Sequence, residues 1–222
     1  MSKRILLGSI IAFFVLIGMV TVFMAISSTQ YFHARMILKI LDDFSFKAIL
    51  HFGGLYLHIM ASFLAIIIGM IQFIPAVYHK YPRLHKSLGK FYVVLILFFA
   101  APMGFVTAIL HTKVLQSQFG FGVLSIFWFL ATLVAFKHII DKKLLLHIEW
   151  MIRSFAITTA AMTLRLENIL LIKLLSINLD TSNSITSWMS WTINILFAEV
   201  FIYFGLGKYF LQKIKSSSMS SS

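Results

Sequence analysis

Long apolar stretches constrain this chain more than any other feature of its sequence. A helix that crosses a lipid bilayer needs about 20 mostly apolar residues, because the hydrocarbon layer is about 30 Å thick. Of the 222 residues, 60% are hydrophobic and 12% are charged, whereas soluble domains are about half apolar and a quarter charged. We therefore predict an all-α, polytopic membrane helix bundle with about six transmembrane helices. The predicted spans are residues 5–26, 49–78, 91–110, 121–140, 154–175 and 189–211.

The chain divides into four predicted regions. Residues 1–28 form an N-terminal anchor helix, because their apolar run is longer than the core of about 7–15 residues found in a signal peptide. The triplet Ala25-Ile26-Ser27 resembles a cleavage site, so it stays open whether this helix is retained. Residues 29–48 mix charges with helically spaced apolar side chains, which predicts an interfacial amphipathic segment. The transmembrane bundle covers residues 49–211, and a serine-rich tail that we expect to be disordered follows at 212–222.

The positive charges predict how the bundle lies in the membrane. With the N-terminus inside, 13 of the 19 Lys and Arg residues fall in inner segments and five in outer segments, while Arg165 lies within a span. The positive-inside rule then places both termini in the cytoplasm. We expect a multi-pass protein of the cell membrane, in a bacterium the inner membrane, whose basic loops contact anionic headgroups. Nucleic acid is not an expected partner, because such binding needs the basic residues on one exposed face.

Polar side chains inside the apolar spans are candidates for a functional site, because their burial in lipid is costly. The intramembrane residues that we select as candidate ligand contacts are Gln72, Arg165, Asn168 and Glu199. Arg165 and Glu199 lie at similar depths in the predicted fifth and sixth spans, which predicts an ion pair between them. The alternative is that Arg165 binds an anionic ligand.

Eight histidines in so apolar a chain suggest a haem or metal site. Haem held by two histidines requires imidazoles at matching depth on facing helices. His51, His58 and His111 lie toward the outer side, but His58 has no histidine partner at its own depth. His85 and His147 match better, since each precedes a predicted span by about six residues on the inner side. For each of these histidines the alternative is a backbone or headgroup contact, and no metal-binding motif strengthens the metal hypothesis.

Several motifs, taken in order, resemble those of one protein family. They are His58-Ile59-Met60, Gly69-Met70-Ile71-Gln72-Phe73, Tyr81-Pro82-Arg83-Leu84-His85-Lys86-Ser87-Leu88-Gly89-Lys90-Phe91-Tyr92, Trp128, His147-Ile148-Glu149-Trp150-Met151-Ile152-Arg153-Ser154-Phe155-Ala156 and Thr163-Leu164-Arg165-Leu166. Over about residues 49–175 the chain resembles the DUF2306 family, bacterial membrane proteins of unknown function. The resemblance implies a polytopic membrane protein and no particular activity. Its motif residues are matched here by His58, Gln72, His85, Gly89, His147, Arg153 and Arg165.

The chain departs from the family pattern at one position. The family motifs also include several residues at the predicted membrane surface. Family members usually carry a basic residue after the third motif histidine, where this chain has Ile148 and Glu149. Arg83, Gly89 and Arg153 belong to motifs at the predicted cytoplasmic face.

Four functions remain open. The first is a redox protein that binds b-type haem through histidines, with Arg153 or Arg165 paired to the propionates. The second is a carrier or receptor for a small ligand, with a polar cavity lined by His58, Gln72 and Arg165. The third is a structural assembly protein whose polar groups hold the bundle together. Enzymatic activity on lipid headgroups stays open as well. Because the chain has no cysteine, thiolate metal sites and cysteine nucleophiles are excluded.

Overall fold

The computed structural model describes residues 49–219, apart from the side chains of His51, His111 and residues 215–219, and shows no β-strand in this range. The predicted anchor helix and amphipathic segment, residues 1–48, lie outside the described residues. The helices are α1 (Gly54–Gln72), α2 (Pro75–Lys80), α3 (Pro82–Val94), α4 (Ala101–His111), α5 (Leu115–Ile140), α6 (Leu144–Thr158), α7 (Ala160–Lys173), α8 (Leu179–Tyr203) and α9 (Leu206–Met219). A π-helical turn, Ile49–Gly53, precedes α1, and a second π-helical segment, Leu95–Ala100, joins α3 to α4.

Five helical stretches within the described residues are long and apolar enough to cross a membrane. They are Gly54–Gln72, Pro82–Leu110, Leu115–Ile140, Leu144–Lys173 and Leu179–Tyr203. The prediction of an all-α, polytopic membrane bundle is therefore confirmed. Most of these stretches begin earlier than the predicted spans, because backbone hydrogen bonding continues into the charged residues at the membrane surface. The third predicted span, for example, lies within a helix that begins at Pro82, where the fixed proline φ favours a first helical turn.

Consecutive spans run in opposite directions, so the short connections fall at two ends of the bundle. One end holds residues 73–81 and 141–143 and the end of α8. This end, which we call the basic end, carries most of the positive charge of the described chain, including Lys80, Arg83, Lys86, Lys142 and Lys143. It is the end that the positive-inside rule assigns to the cytoplasm.

Two of the spans are interrupted. The π-helical segment Leu95–Ala100 ends just before Pro102, whose missing N–H and bulky ring disturb the regular hydrogen-bond ladder. The fourth span breaks at Thr159, between α6 and α7. Asn194 of α8 supports this break by donating hydrogen bonds from Nδ2 to the carbonyl oxygen of Ala156 and to Thr159 Oγ1, at 3.0 and 3.2 Å.

The last span begins at residue 179, ten residues before the predicted start at 189. Asn178 causes this early start, because its side-chain oxygen accepts a hydrogen bond from the backbone N–H of Thr181 at 2.9 Å and caps the helix. Asp180 in the first turn adds a favourable charge at the positive end of the helix dipole.

The chain also leaves the last span earlier than predicted. Helix α8 ends at Tyr203, and Gly205 has a φ of 92°, a left-handed conformation that favours glycine. The predicted span 189–211 is therefore replaced by α8 and the separate helix α9. Helix α9 extends through residues 212–219, which we assigned to the tail.

The helices pack closely because small residues face one another in the interior. The most buried positions include Ala65, Ala100, Ala135 and Ser154. Where α5 meets α8, a Cβ at Gly120 would overlap Ser187. Large apolar side chains such as Phe98, which is 67% exposed, cover the outside instead. This arrangement suits a bundle surrounded by hydrocarbon, where apolar groups need no burial.

Candidate functional site

A cavity of about 500 Å³ lies at the basic end, between α1, α3 and α6. Side chains of α2, α5 and α9 complete its wall. The lining residues are Gly69, Gln72, Phe73, Tyr78, Pro82, His85, Lys86, Gly89, Lys90, Tyr92, Val93, Phe136, Ile139, Leu144, His147, Ile148, Met151, Phe155, Phe210 and Ile214. Most of these side chains are apolar, and none is acidic. The cavity therefore combines an apolar wall with a few polar groups.

Helical spacing brings the lining residues of α3 together. His85, Gly89 and Tyr92 are separated by four and three residues, so they share one face of the helix. Gln72 donates from Nε2 to the carbonyl oxygen of His85 at 2.9 Å. A Cβ at Gly89 would lie 3.1 Å from that nitrogen, so the glycine leaves room for the amide to approach α3.

This contact leaves two polar atoms of the cavity unpaired. Gln72 is 8% exposed, and its Oε1 has no hydrogen-bond partner among the described residues. His85 Nδ1 is likewise buried without a partner in the described part of the chain. Buried polar atoms without partners are uncommon in native proteins and call for a physical explanation.

His147 enters the cavity from the opposite wall. Its Nδ1 lies 2.8 Å from the carbonyl oxygen of Ala135. A carbonyl oxygen can only accept, so Nδ1 carries the proton. The ring is thereby held in place on α6, and a neutral imidazole in this tautomer has an electron pair on Nε2 that faces no partner among the described residues.

Three further polar residues lie toward the opening of the cavity. The ring centroids of Tyr78 and His85 are 6.2 Å apart. Burial raises the pKa of Tyr78, and the nearby Tyr209 raises it further. The phenol therefore stays neutral and can donate a hydrogen bond. Lys86 and Lys90 are exposed and line the cavity from α3. They make its mouth positive.

A buried hydroxyl cluster supports the inner end of the cavity. Tyr92 Oη lies 2.8 Å from Thr158 Oγ1 and 3.1 Å from Ser154 Oγ. Thr132 Oγ1 is 2.7 Å from Ser154 Oγ, and the indole N–H of Trp128 donates to Thr158 Oγ1 at 3.0 Å. The cluster joins α3, α5 and α6 behind the cavity wall. Tyr92 belongs to a motif that resembles the family, but we did not select it as a site residue, although its spacing from His85 is a signal that could have found it.

The predicted ion pair between Arg165 and Glu199 is wrong. Arg153 donates to Glu199 instead, from Nε to Oε1 at 2.5 Å and from Nη2 to Oε2 at 2.9 Å. The error came from the predicted start of the last span. Because α8 begins at 179, Glu199 lies four residues before the helix end at Tyr203, near the basic end.

Arg165 lies toward the other end of the bundle, eight residues before the end of α7 at Lys173. It donates to the carbonyl oxygen of Ala161 at 3.0 Å, one turn back along its own helix. Arg165 does not line the cavity.

His58 has a backbone partner rather than a histidine partner. Its Nδ1 lies 2.7 Å from the carbonyl oxygen of Ala100, at the end of the π-helical segment. A Cβ at Gly104 would lie 2.9 Å from the His58 ring, so this glycine makes room for the imidazole. His58 thus links α1 to the span Pro82–Leu110, away from the cavity. The side chains of His51 and His111 are outside the described part.

The other selected residues also lie outside the cavity. Asn168 Oδ1 accepts a hydrogen bond from Ser182, which ties α7 to α8. Arg83 is exposed at the start of α3. Glu167, which we did not select, is 6% exposed, and neither carboxylate oxygen has a hydrogen-bond partner among the described residues. Of all the predicted site residues, the structure brings Gln72, His85, Gly89 and His147 together at the cavity.

Metal ligands do not cluster in the described part of the chain. No group of three or more His, Cys, Asp or Glu residues there could hold a metal ion.

The comparison with protein families gives one match. The sequence model of the family described as "Predicted membrane protein (DUF2306)" matches residues 55–202, which is more than half of the chain. The chain matches no curated protein and no solved structure.

Proposed function

Because this chain belongs to the DUF2306 family of predicted membrane proteins, a description that names a location and no chemistry, we propose a function from the geometry of its cavity. The protein binds a small, largely apolar ligand at the basic end of the bundle, as a carrier or receptor in the cell membrane. The observation that carries this proposal is the cavity of about 500 Å³ with an apolar wall and a few converging polar groups. Sites for small molecules commonly have this composition and a volume of about 300–1,000 Å³.

A purely structural role for the polar residues explains only some of the observations. It accounts for His58 and Asn168, whose hydrogen bonds join helices. It does not account for Gln72 Oε1 and His85 Nδ1, which are buried beside the cavity and have no partner in the described chain. A ligand in the cavity would supply the missing contacts.

Binding of b-type haem is the second candidate, and one observation favours it. The hydrogen bond from His147 Nδ1 to Ala135 leaves Nε2 for a metal, as is usual for histidine ligands. His85 would be the second ligand, and Lys86 and Lys90 at the mouth would pair with the propionates. An absorption spectrum of the purified protein, before and after addition of haem, tests this candidate. A Soret band that is lost in His147→Ala would favour haem over the apolar ligand.

The main proposal is tested by blocking the cavity. Met151 lines it, so the larger ring in Met151→Trp fills part of its volume. Leu130→Trp is the matched control, because Leu130 is 48% exposed on the outside of α5. Binding of 2-naphthol to the two variants and the unaltered protein is measured by calorimetric titration in lipid nanodiscs. Partition of the probe into lipid is the same in all three samples, so only differences between them report on the cavity.

We expect Met151→Trp to weaken the binding of 2-naphthol at least about tenfold, whereas Leu130→Trp binds like the unaltered protein. Equal binding by all three proteins would contradict the proposal, provided that melting curves show both variants to be folded.

A further inference from the structure

One of the unpaired atoms of the cavity has a definite polarity, because its side chain is fixed by another hydrogen bond. Gln72 Nε2 donates to the carbonyl oxygen of His85, and a carbonyl cannot donate in return. This contact fixes the orientation of the amide, so the unpaired atom is Oε1, an acceptor. A bound molecule can satisfy this oxygen only by offering it a hydrogen.

His147 presents a second acceptor. Because Nδ1 donates to Ala135, the neutral ring has a lone pair on Nε2. Gln72 and His147 stand on α1 and α6, which form different walls of the same cavity. Two acceptors therefore belong to side chains that line one cavity, whose other walls are mostly apolar.

The charges around the cavity limit which donor can bind. Metal ions and ammonium groups would also satisfy an acceptor oxygen or an imidazole nitrogen. Both are positively charged, however, and the cavity is lined by Lys86 and Lys90 and by no Asp or Glu residue. A cation would also lose its water in a mostly apolar lining that offers no carboxylate to compensate its charge, which is costly. A neutral hydroxyl group provides the hydrogen without the charge.

From these contacts we propose that the ligand is an uncharged apolar molecule with a hydroxyl group, an alcohol or a phenol, whose O–H donates to Gln72 Oε1. The apolar part of the molecule lies against Phe73, Phe155 and Phe210. This inference rests on the proposed function and adds the chemical class of the ligand to it. Tyr78, at the mouth, can donate to an additional oxygen of the same molecule.

A matched pair of probes tests the inference. 2-Naphthol and 2-methoxynaphthalene have the same apolar rings, but only the first can donate a hydrogen bond. Their dissociation constants are measured in lipid nanodiscs at neutral pH for the unaltered protein, Gln72→Met, Met151→Trp and Leu130→Trp. Each constant is corrected for the partition of its probe into empty nanodiscs, and the ratio of the two constants within one protein removes effects of folding yield.

The expected result is that the unaltered protein and Leu130→Trp bind 2-naphthol about tenfold more tightly than its methyl ether. In Gln72→Met the ratio falls toward one, because the acceptor is gone. The ratio in the unaltered protein is decisive by itself if Gln72→Met does not fold.

Three results would overturn the inference, and they are distinguishable. A ratio near one in the unaltered protein, with binding still blocked in Met151→Trp, removes the hydroxyl requirement and leaves the proposed function standing. If Met151→Trp blocks neither probe, the proposed function fails together with the inference. A Soret band or stoichiometric metal in the purified protein would show that a metal, not a hydroxyl group, satisfies the acceptors.

Discussion

Several glycines in this bundle mark places where a neighbouring side chain needs room. A Cβ at Gly69 would lie 2.5 Å from two ring carbons of Phe155 and 3.3 Å from Tyr92 Cε2. Both aromatic rings belong to the cavity wall. The close approach of α1 to α6 therefore depends on the missing side chain at residue 69.

We expect Gly69→Ala to destabilise the protein by about 1–3 kcal/mol, because the added methyl group overlaps the buried Phe155 ring, which must leave its packed position. The variant should also bind 2-naphthol more weakly, since Phe155 must move into the cavity. Melting temperature and calorimetric titration in lipid nanodiscs measure the two effects.

Gly122→Ala is the control for this substitution. Its Cβ would meet Phe105 at 3.6 Å, an ordinary contact, so the better helix propensity of alanine should leave stability equal or slightly higher. A melting temperature for Gly69→Ala that matches this control would contradict the expected overlap.

At the level of helices, the ion pair between Arg153 and Glu199 links α6 to α8 near the basic end. The guanidinium carbon also lies 4.7 Å from the centroid of the Trp150 ring, which favours one orientation of the arginine. The exposed fractions of the two side chains are 19% and 45%. The pair is thus partly open to its surroundings, and its contribution should be modest.

A double-mutant cycle measures this contribution. We expect Arg153→Met and Glu199→Gln each to lower stability by about 1 kcal/mol, and the double variant to lose less than the sum. Reversible unfolding in detergent provides the four free energies. Strict additivity would mean that the two residues act independently and that the short contact has no energetic weight.

The last helix closes one side of the cavity. Phe210 and Ile214 of α9 line it, and Phe210 lies 5.7 Å from Phe73 between ring centroids. Gly207 packs against Glu149 of α6 so closely that a Cβ there would lie 2.8 Å from the glutamate side chain. The helix is therefore part of the site and not a free tail.

Removal of residues 205–222 should weaken binding of 2-naphthol at least about tenfold, because one apolar wall is lost. Membrane insertion should persist, since all five described spans precede residue 205. A chain that ends after Ile214 keeps both lining residues and is the matched control. Full binding by the shorter chain would show that α9 does not close the cavity.

For the whole molecule, the distribution of charge predicts which end faces the cytoplasm. Lys142 lies in a connection at the basic end and Lys113 in one at the opposite end. Because the chain has no cysteine, Lys142→Cys and Lys113→Cys each introduce a single reactive thiol. We expect a membrane-impermeant maleimide to label Lys113→Cys in intact cells and Lys142→Cys only after permeabilisation. The reverse pattern would place the basic end and the cavity on the outside.

Part of the site could be predicted from the sequence because it depends on where each residue lies relative to the apolar run of its own helix. His85 and His147 stand at similar positions before two parallel spans, and this symmetry indicated that they lie at the same end of the bundle. Gln72 was selected because an amide inside an apolar run needs a partner. The contacts of Arg153 with Glu199 and of His58 with Ala100 were not predictable, because they depend on how far each helix is shifted along its neighbour.

The sequence by itself determined that this is a bundle of membrane-spanning helices, because hydrocarbon leaves a backbone few alternatives to the helix and apolar runs show where it crosses. It also determined which residue types were available for a site. Only the tertiary structure decided that Gln72, His85 and His147 share one cavity, that α9 covers it, and that the unpaired atom of Gln72 is an acceptor. Helix packing in lipid is governed by close contacts between small residues and by pairing of polar groups. Both depend on which residues of the neighbouring helix lie at the same depth, and the sequence of a single helix does not contain this information.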